Sequence, residues 1–258
     1  MMRALYTAAT GMNAQELKMQ VTANNLSNAS TTGFKKARAE FEDLLVETIR
    51  PADVGEGGRP VPLEVGLGVR AGGTSRTFSQ GDLIGTQNPL DLAIQGDGLI
   101  PVRQQDGSLA FTRAGNLRVN AEGLLVTQGG LAVEPGITVP ADATALTVSE
   151  NGRVSATIPG RTQPQELGVL ELAIVENPGG LTALGGNLFV PTEASGRTTM
   201  TPPGENGAGT LLQGFLEGSN VSTVEEMIDL ITTQRAYEMN SKVIQTADQM
   251  LQRLTSLR

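Results

Sequence analysis

The stretch STVEEMIDLITTQRAYEMNSKVIQTADQMLQRLTSL (Ser222–Leu257) contains neither glycine nor proline. Those residues cost about 1 and about 3 kcal/mol in a helix interior. Without them one uninterrupted helix is expected, about 54 Å long at roughly 1.5 Å per residue. Ser222 followed by Glu225 has capping-box spacing, so the start is marked as well. Leu230, Tyr237, Ile244 and Leu251 recur every seven residues, Ala247 and Leu254 extend one side of that line, and Val243, Met250 and Leu257 extend the other. A seven-residue repeat keeps its seam against a partner only if the helices supercoil.

The opposite end carries a matching line. Leu5, Met12, Met19 and Leu26 also recur every seven residues, with Ala9 and Ala23 beside them and Ala8 widening the face. This helix is expected to stop near Asn28, where Asn, Ser and Thr crowd up to Gly33. Gln15, Glu16 and Thr22 interrupt the strip, and Ala, Gln, Asn, Thr and Ser dominate the rest of the surface. A neutral polar face suits close packing against further copies, where amide hydrogen bonds replace charge repulsion. Two plainer readings stay open: both stripes cover a β domain, or they pair as an intramolecular hairpin.

Between the ends the composition changes. All 13 Pro lie between Pro51 and Pro203, and 30 of the 32 Gly lie within residues 51–220. The ends sum to zero charge, so the middle holds the whole net charge of −8. Short apolar runs alternate with turn signals such as Asp97-Gly98, Asp106-Gly107, Glu122-Gly123 and Asn151-Gly152. Strands are expected near Asp91–Gln95, Leu99–Arg103, Ala110–Arg113, Leu124–Thr127, Leu146–Ser149, Val169–Val175 and Asn187–Val190, as a sandwich or barrel-like β domain. Residues 51–80 are richer in Pro and Gly and read as an extended arm or loop. Phe34–Ile49 combines helical spacing with strong β-formers, leaving both forms open.

Several chemistries are excluded or weakened. Without Cys or His there are no disulfides, thiolate or imidazole metal sites, or His-dependent triads. No apolar run approaches the roughly 18 residues of a membrane span, and the start MMRALYTAATGMNA lacks a signal-peptide core. The acidic balance argues against nucleic acid. Gly66, Gly68 and Ala71 satisfy a dinucleotide fingerprint, but Gly72-Gly73 follows where a helix must open. Lys35, Lys36 and Arg38, beside Glu40, Glu42 and Asp43, read as a solvated mixed-charge face. Carboxylates such as Asp91 and Asp97 read as turn residues, which weakens a hydrolase reading. Few aromatics disfavour a carbohydrate module, and weak charge pairing beside the seam disfavours a soluble coiled-coil adaptor. No catalytic group, cofactor or metal is expected.

The long stretches point elsewhere. TGMNAQELKMQVTANNLSNASTTGFKK (Thr10–Lys36) resembles the N-terminal motif of the flagellar rod, hook and hook-associated axial proteins. NGAGTLLQGFLEGSNVSTVEEMIDLITTQRAYEMNSKVIQTADQMLQRL (Asn206–Leu254) resembles their C-terminal motif, and SQGDL (Ser79–Leu83), DLAIQGDGL (Asp91–Leu99) and FTRAGNLRVNAEGLLVTQGG (Phe111–Gly130) extend the likeness across the middle. Total length, FEDLLVETIRP (Phe41–Pro51) and VGLGVR (Val65–Arg70) look most like the distal rod members, then the proximal rod and hook types. One departure is Leu99-Ile100-Pro101, which replaces the aromatic-rich strand common after the GDG turn.

The resemblance implies an α+β chain: a central all-β domain, N- and C-terminal helices pairing as a coiled coil, and an extended arm. The implied segments are 1–33 (first helix), 34–90 (arm), 91–215 (β domain) and 216–258 (last helix). It implies a structural homo-oligomer, a rigid hollow helical tube transmitting torque. Its partners would be proximal rod and hook subunits, surrounding ring proteins and the flagellar type III export apparatus. The subunit would be exported without a cleaved signal, span the periplasm in the basal body, and neither bind nucleic acid nor insert in a membrane. Leu5, Met12, Met19, Leu26, Leu230, Tyr237, Ile244, Ala247, Leu251 and Leu254 would then line the assembly interface.

Overall fold

The computed structural model describes residues 2–50, 61–161 and 163–256. The chain divides into two compact units, neither continuous in sequence. One comprises Met1–Ser27, Ala37–Ser75 and Ser222–Arg258; the other comprises Asn28–Lys36 and Arg76–Val221.

The first unit holds helix α1 (Met2–Ser27), strands β1 (Ala37–Asp43), β2 (Val46–Arg50), β3 (Leu63–Gly66) and β4 (Val69–Arg76), and helix α2 (Thr223–Ser256). The stretch left open between helix and strand is therefore β. β1 pairs with β4, and β2 pairs antiparallel with β3. The β-branched and aromatic residues between Phe34 and Ile49 outweigh the helical spacing of its apolar positions. The Gly66-x-Gly68-x-x-Ala71 match falls on β3 and β4 and opens no helix. Part of the expected arm, residues 51–60, lies outside the described residues.

The second unit carries the β domain. Among the described residues its largest sheet runs β16 (Thr182–Gly185), β17 (Leu188–Val190), β8 (Leu109–Thr112), β7 (Ile100–Arg103), β11 (Ala132–Val133), β10 (Leu125–Val126), β9 (Arg118–Val119). A second sheet joins β12 (Ala145–Val148), β13 (Arg153–Thr157) and β14 (Gln165–Val169). Three antiparallel pairs complete it: β15 (Leu172–Val175) with β18 (Thr198–Thr201), β6 (Leu92–Gln95) with β19 (Thr210–Gln213), and β5 (Leu83–Gly85) with β20 (Phe215–Glu217).

The run Val169–Val175, expected as one strand, is broken in two. Residues up to Val169 pair with β13, and those from Leu172 pair with β18. Leu170 N–H bonds to Gly152 O at the corner (2.8 Å), and a continuous apolar run carries no mark of such a change of partner.

Alternation along β7 and β8 separates two cores. Ile100, Val102 and Ala110 enter an aliphatic cluster with Leu92, Val133, Val154 and Leu172. Leu99 and Phe111 enter a smaller one with Ala173 and Phe189, where Phe78 meets Phe189 edge-on at 5.1 Å. The departure at Leu99-Ile100-Pro101 thus packs as one residue per core. Pro101 keeps its carbonyl in the ladder, accepting from Glu134 N–H at 3.0 Å, and gives up only its donor.

Candidate assembly surface

The geometry of α2 begins at its cap. Ser222 Oγ accepts from Glu225 N–H at 3.5 Å, and its carbonyl accepts from Glu226 N–H at 3.0 Å. Polar and small residues then connect α2 to α1. Asn25 Nδ2 donates to Glu226 Oε2 at 3.2 Å, Lys18 Nζ stands 3.8 Å from Asp229, and Gly11 faces Asn240. Contacts that rise along one helix fall along the other, so the pair is antiparallel. A Cβ on Gly11 would stand 3.0 Å from Asn240 Nδ2, so a side chain here would push that amide aside. Ala8, Ala14, Thr22 and Asn25 are buried on α1, and Glu226, Thr233 and Ala247 on α2. Glu226, Thr233, Asn240 and Ala247 form their own seven-residue line, offset from the apolar one.

The apolar residues of the seven-residue lines border this contact: on α2 Leu230, Tyr237, Ile244 and Leu251 each follow one of its residues by four. Leu5, Met12, Met19, Leu26, Leu230, Ile244 and Leu251 are half-buried, Ala247 is buried, and Tyr237 is 40% exposed. The side chain of Leu254 lies outside the described residues. Val224, Ile228, Ile231, Met239, Val243 and Met250 are all exposed, Val224 at 65% and Met239 at 61%. At about 3.6 residues per turn they share one face of α2, turned away from the Glu226–Ala247 line. The strict seven-residue count passed over Val224, Ile228, Ile231 and Met239. Counting at i, i+4 and i+7 from Val224 would have found the first three.

The strands of the same unit tie to α1 through polar contacts. Asn25 grips the backbone of Ala37 from both sides, with Nδ2 to O at 2.8 Å and N–H to Oδ1 at 3.0 Å. Arg3 meets Glu47 at 2.9 Å, while between the strands themselves Arg70 of β4 donates twice to Glu42 of β1, at 3.0 and 2.8 Å. The β2–β3 ribbon exposes Leu45, Val46, Ile49, Leu63 and Val65.

In the second unit, three charges meet in the interior. Lys35 is 1% exposed and Glu217 0%, which overturns the reading of Lys35 as part of a solvated face. Lys35 Nζ donates to Glu217 Oε1 and to Ser79 O, both at 2.7 Å. Arg113 Nε donates to Glu217 Oε2, and its remaining nitrogens reach Gly98 O, Ile94 O and Gly96 O. Gly81 N–H adds a bond to Glu217 Oε1 at 3.0 Å. Burial alone would raise the Glu217 carboxyl, but the Arg113 charge and the bonds from Lys35 and Gly81 hold it below its ordinary value. Burial pulls the Lys35 ammonium below its ordinary value despite the support of Glu217. Gly33, at φ +67°, donates to Glu217 O at 2.8 Å, and any Cβ there would strike the Ala114 backbone at 2.6 Å.

Three sequence families match successive parts of this chain. "Flagella basal body rod protein" covers residues 5–35, "Flagellar hook protein FlgE/F/G D1 domain" covers 93–156, and "Flagellar basal body rod FlgEFG protein C-terminal" covers 212–257. The chain is 51% identical to "Flagellar basal-body rod protein FlgG" of Caulobacter vibrioides, with all of both chains covered. It is 47% identical to the protein of that name from Agrobacterium fabrum (96% and 97% covered) and 46% to that of Borreliella burgdorferi (97% of each). The chain belongs to the flagellar basal-body rod protein family.

Rod-family membership gives the buried charges a context. Lys35 closes the first matched segment, Arg113 falls in the second and Glu217 in the third. The cluster therefore joins the three parts by which this rod-family chain is recognised. Full-length matches to rod proteins do not favour the hook, hydrolase or adaptor alternatives. No described helix is long and apolar enough to cross a membrane.

Proposed function

We propose that copies of this chain pack through α1 and α2 into a rigid hollow helical tube that carries torque along the flagellar rod. The chain is a structural rod subunit and not an enzyme, as its family is. The observation that carries the assembly reading is the division of α2 into two faces. Its polar, small face is used within the chain, while Val224, Ile228, Ile231, Met239, Val243 and Met250 stand in solvent. Burying such side chains is worth about 1.5–3 kcal/mol each, and repetition along a tube multiplies that gain.

In this reading Leu5, Met12, Met19, Leu26, Leu230, Tyr237, Ile244, Ala247, Leu251 and Leu254 flank the contacts between copies. The helices supercoil with neighbours, and the 34–90 segment braces adjacent subunits as an arm. The β domain forms the wall. Proximal rod and hook subunits meet the two ends of the tube, ring proteins surround it, and it spans the periplasm after type III export without signal cleavage.

Electron microscopy of the concentrated full chain tests this, with straight tubes expected. Ile228→Asp combined with Met239→Asp alters exposed positions, so each chain keeps its stability to within about 0.5 kcal/mol per site. The variant should keep its circular dichroism and form no tubes. Tubes of normal length and number from it would refute the assignment of this face.

A further inference from the structure

The sequence holds two Asn-Gly dipeptides, Asn151-Gly152 and Asn206-Gly207. Glycine offers no side chain to shield its nitrogen from the preceding carboxamide, so such pairs are sites of intramolecular chemistry. Their surroundings here are opposite.

Gly152 is buried. Its N–H donates to Ser149 O at 2.9 Å, and its carbonyl accepts from Leu170 N–H at 2.8 Å. The space beside its Cα is filled by Leu170 O at 2.5 Å and Pro203 Cδ at 2.8 Å from an ideal Cβ. Moving this peptide toward its own carboxamide breaks two hydrogen bonds and displaces a proline ring. Asn206 and Gly207 are both exposed, at φ +48° and +84°, the centre of a type I′ turn closed by Ala208 N–H to Glu205 O at 2.8 Å. That bond leaves the Gly207 nitrogen outside it, and apart from its chain neighbours nothing lies within 4 Å of where a Gly207 Cβ would stand.

We propose that Asn206 is a self-modification site that converts to aspartate and isoaspartate in the folded chain, while Asn151 stays an amide. The Gly207 nitrogen, giving up its proton, bonds to Asn206 Cγ. The Cγ–Nδ2 bond breaks, and ammonia leaves with that proton. Water then adds to either carbonyl of the cyclic imide and opens the ring. The carboxylate ends on the side chain as aspartate or on the main chain as isoaspartate. Water is the co-reactant, and no cofactor takes part. The product places a new negative charge next to Glu205, at the mouth of a cavity of 270 Å³ whose walls include Asp97 and Glu176.

The folded full chain is incubated at mildly alkaline pH and digested with trypsin. Mass spectrometry then follows Thr198–Arg235 for position 206 and Val119–Arg153 for position 151. The two hydrogen bonds that hold Gly152 predict conversion about tenfold or more faster at Asn206. In urea the two peptides should convert at similar rates, because the turns are gone. A protein isoaspartyl methyltransferase should label the 198–235 peptide of the aged wild type and leave the same peptide of aged Asn206→Gln unlabelled, which separates position 206 from the Asp-Gly pairs at 97 and 106. Equal rates in the folded chain, selectivity that persists unchanged in urea, or labelling of the 198–235 peptide in Asn206→Gln would each overturn the proposal.

Discussion

Glu217 shows what one side chain can hold together. It accepts from Lys35, Arg113 and Gly81, and each of these lies far from it in sequence. Removing its charge leaves two buried cations without a counter-ion, a change that costs about 3–5 kcal/mol. Glu217→Gln is therefore expected to lower the urea midpoint of the β-rich unit substantially, read from its strand signal. The pH dependence has a definite sign. Because the folded carboxyl lies below its ordinary value, its contribution is complete above the unfolded value near about 4.3. It is lost as pH falls through the folded value. Lys35 works in the opposite sense: its lowered value favours the neutral amine, so its cost is relieved only as pH rises through the folded value. The acid limb of wild-type stability should flatten in Glu217→Gln, and an unchanged limb would assign the acid sensitivity to other carboxylates. Nothing local in the sequence announces this cluster. Lys35 sits among exposed-looking charges, and its partners are set by sheet topology, which spacing does not encode.

At the scale of elements, the helices were legible, while the polar and small residues buried between them were not. The absence of Gly and Pro and the Ser222 cap mark α2, and the polar stop at Asn28 marks the end of α1, within a residue or two of what is observed. The buried line of α2 runs through Glu226, Thr233 and Ala247, with Asn240 facing Gly11, and Leu230, Tyr237, Ile244 and Leu251 each follow it by four residues. The ribbon of β2 and β3 raises the complementary question of what supports an exposed element. Both strands are exposed along their whole length, and a two-stranded ribbon alone is marginal in water. Deleting Ala52–Glu64 should leave the β-domain spectrum and unfolding midpoint unchanged while making assembled tubes more flexible or bent. Tubes as stiff as wild type by electron microscopy would remove bracing from the role of this segment.

For the whole molecule, the question is where the stability of α1 and α2 comes from. Helices in proteins are held mainly by burial of an apolar face. Within one chain this pair buries alanines, threonines, Asn25 and Glu226, while large apolar residues of α2 such as Val224, Ile228 and Met239 remain in solvent. Polar contacts such as Asn25 to Glu226 contribute about 1 kcal/mol each, little against the backbone entropy of so many helical residues. In the proposed tube that balance would change: neighbouring copies would cover the exposed face, and the neutral ends would approach without the repulsion that the acidic middle would add. Circular dichroism is therefore expected to show more helix per chain in tubes than in dilute monomer, with a negative heat-capacity change on assembly from the apolar burial. A chain trimmed to residues 28–221 should remain monomeric with its strand signal intact. Equal helicity in monomer and tube would show that each chain stabilises its own helices, and ordered tubes from the trimmed chain would place the contacts between copies in the β domain.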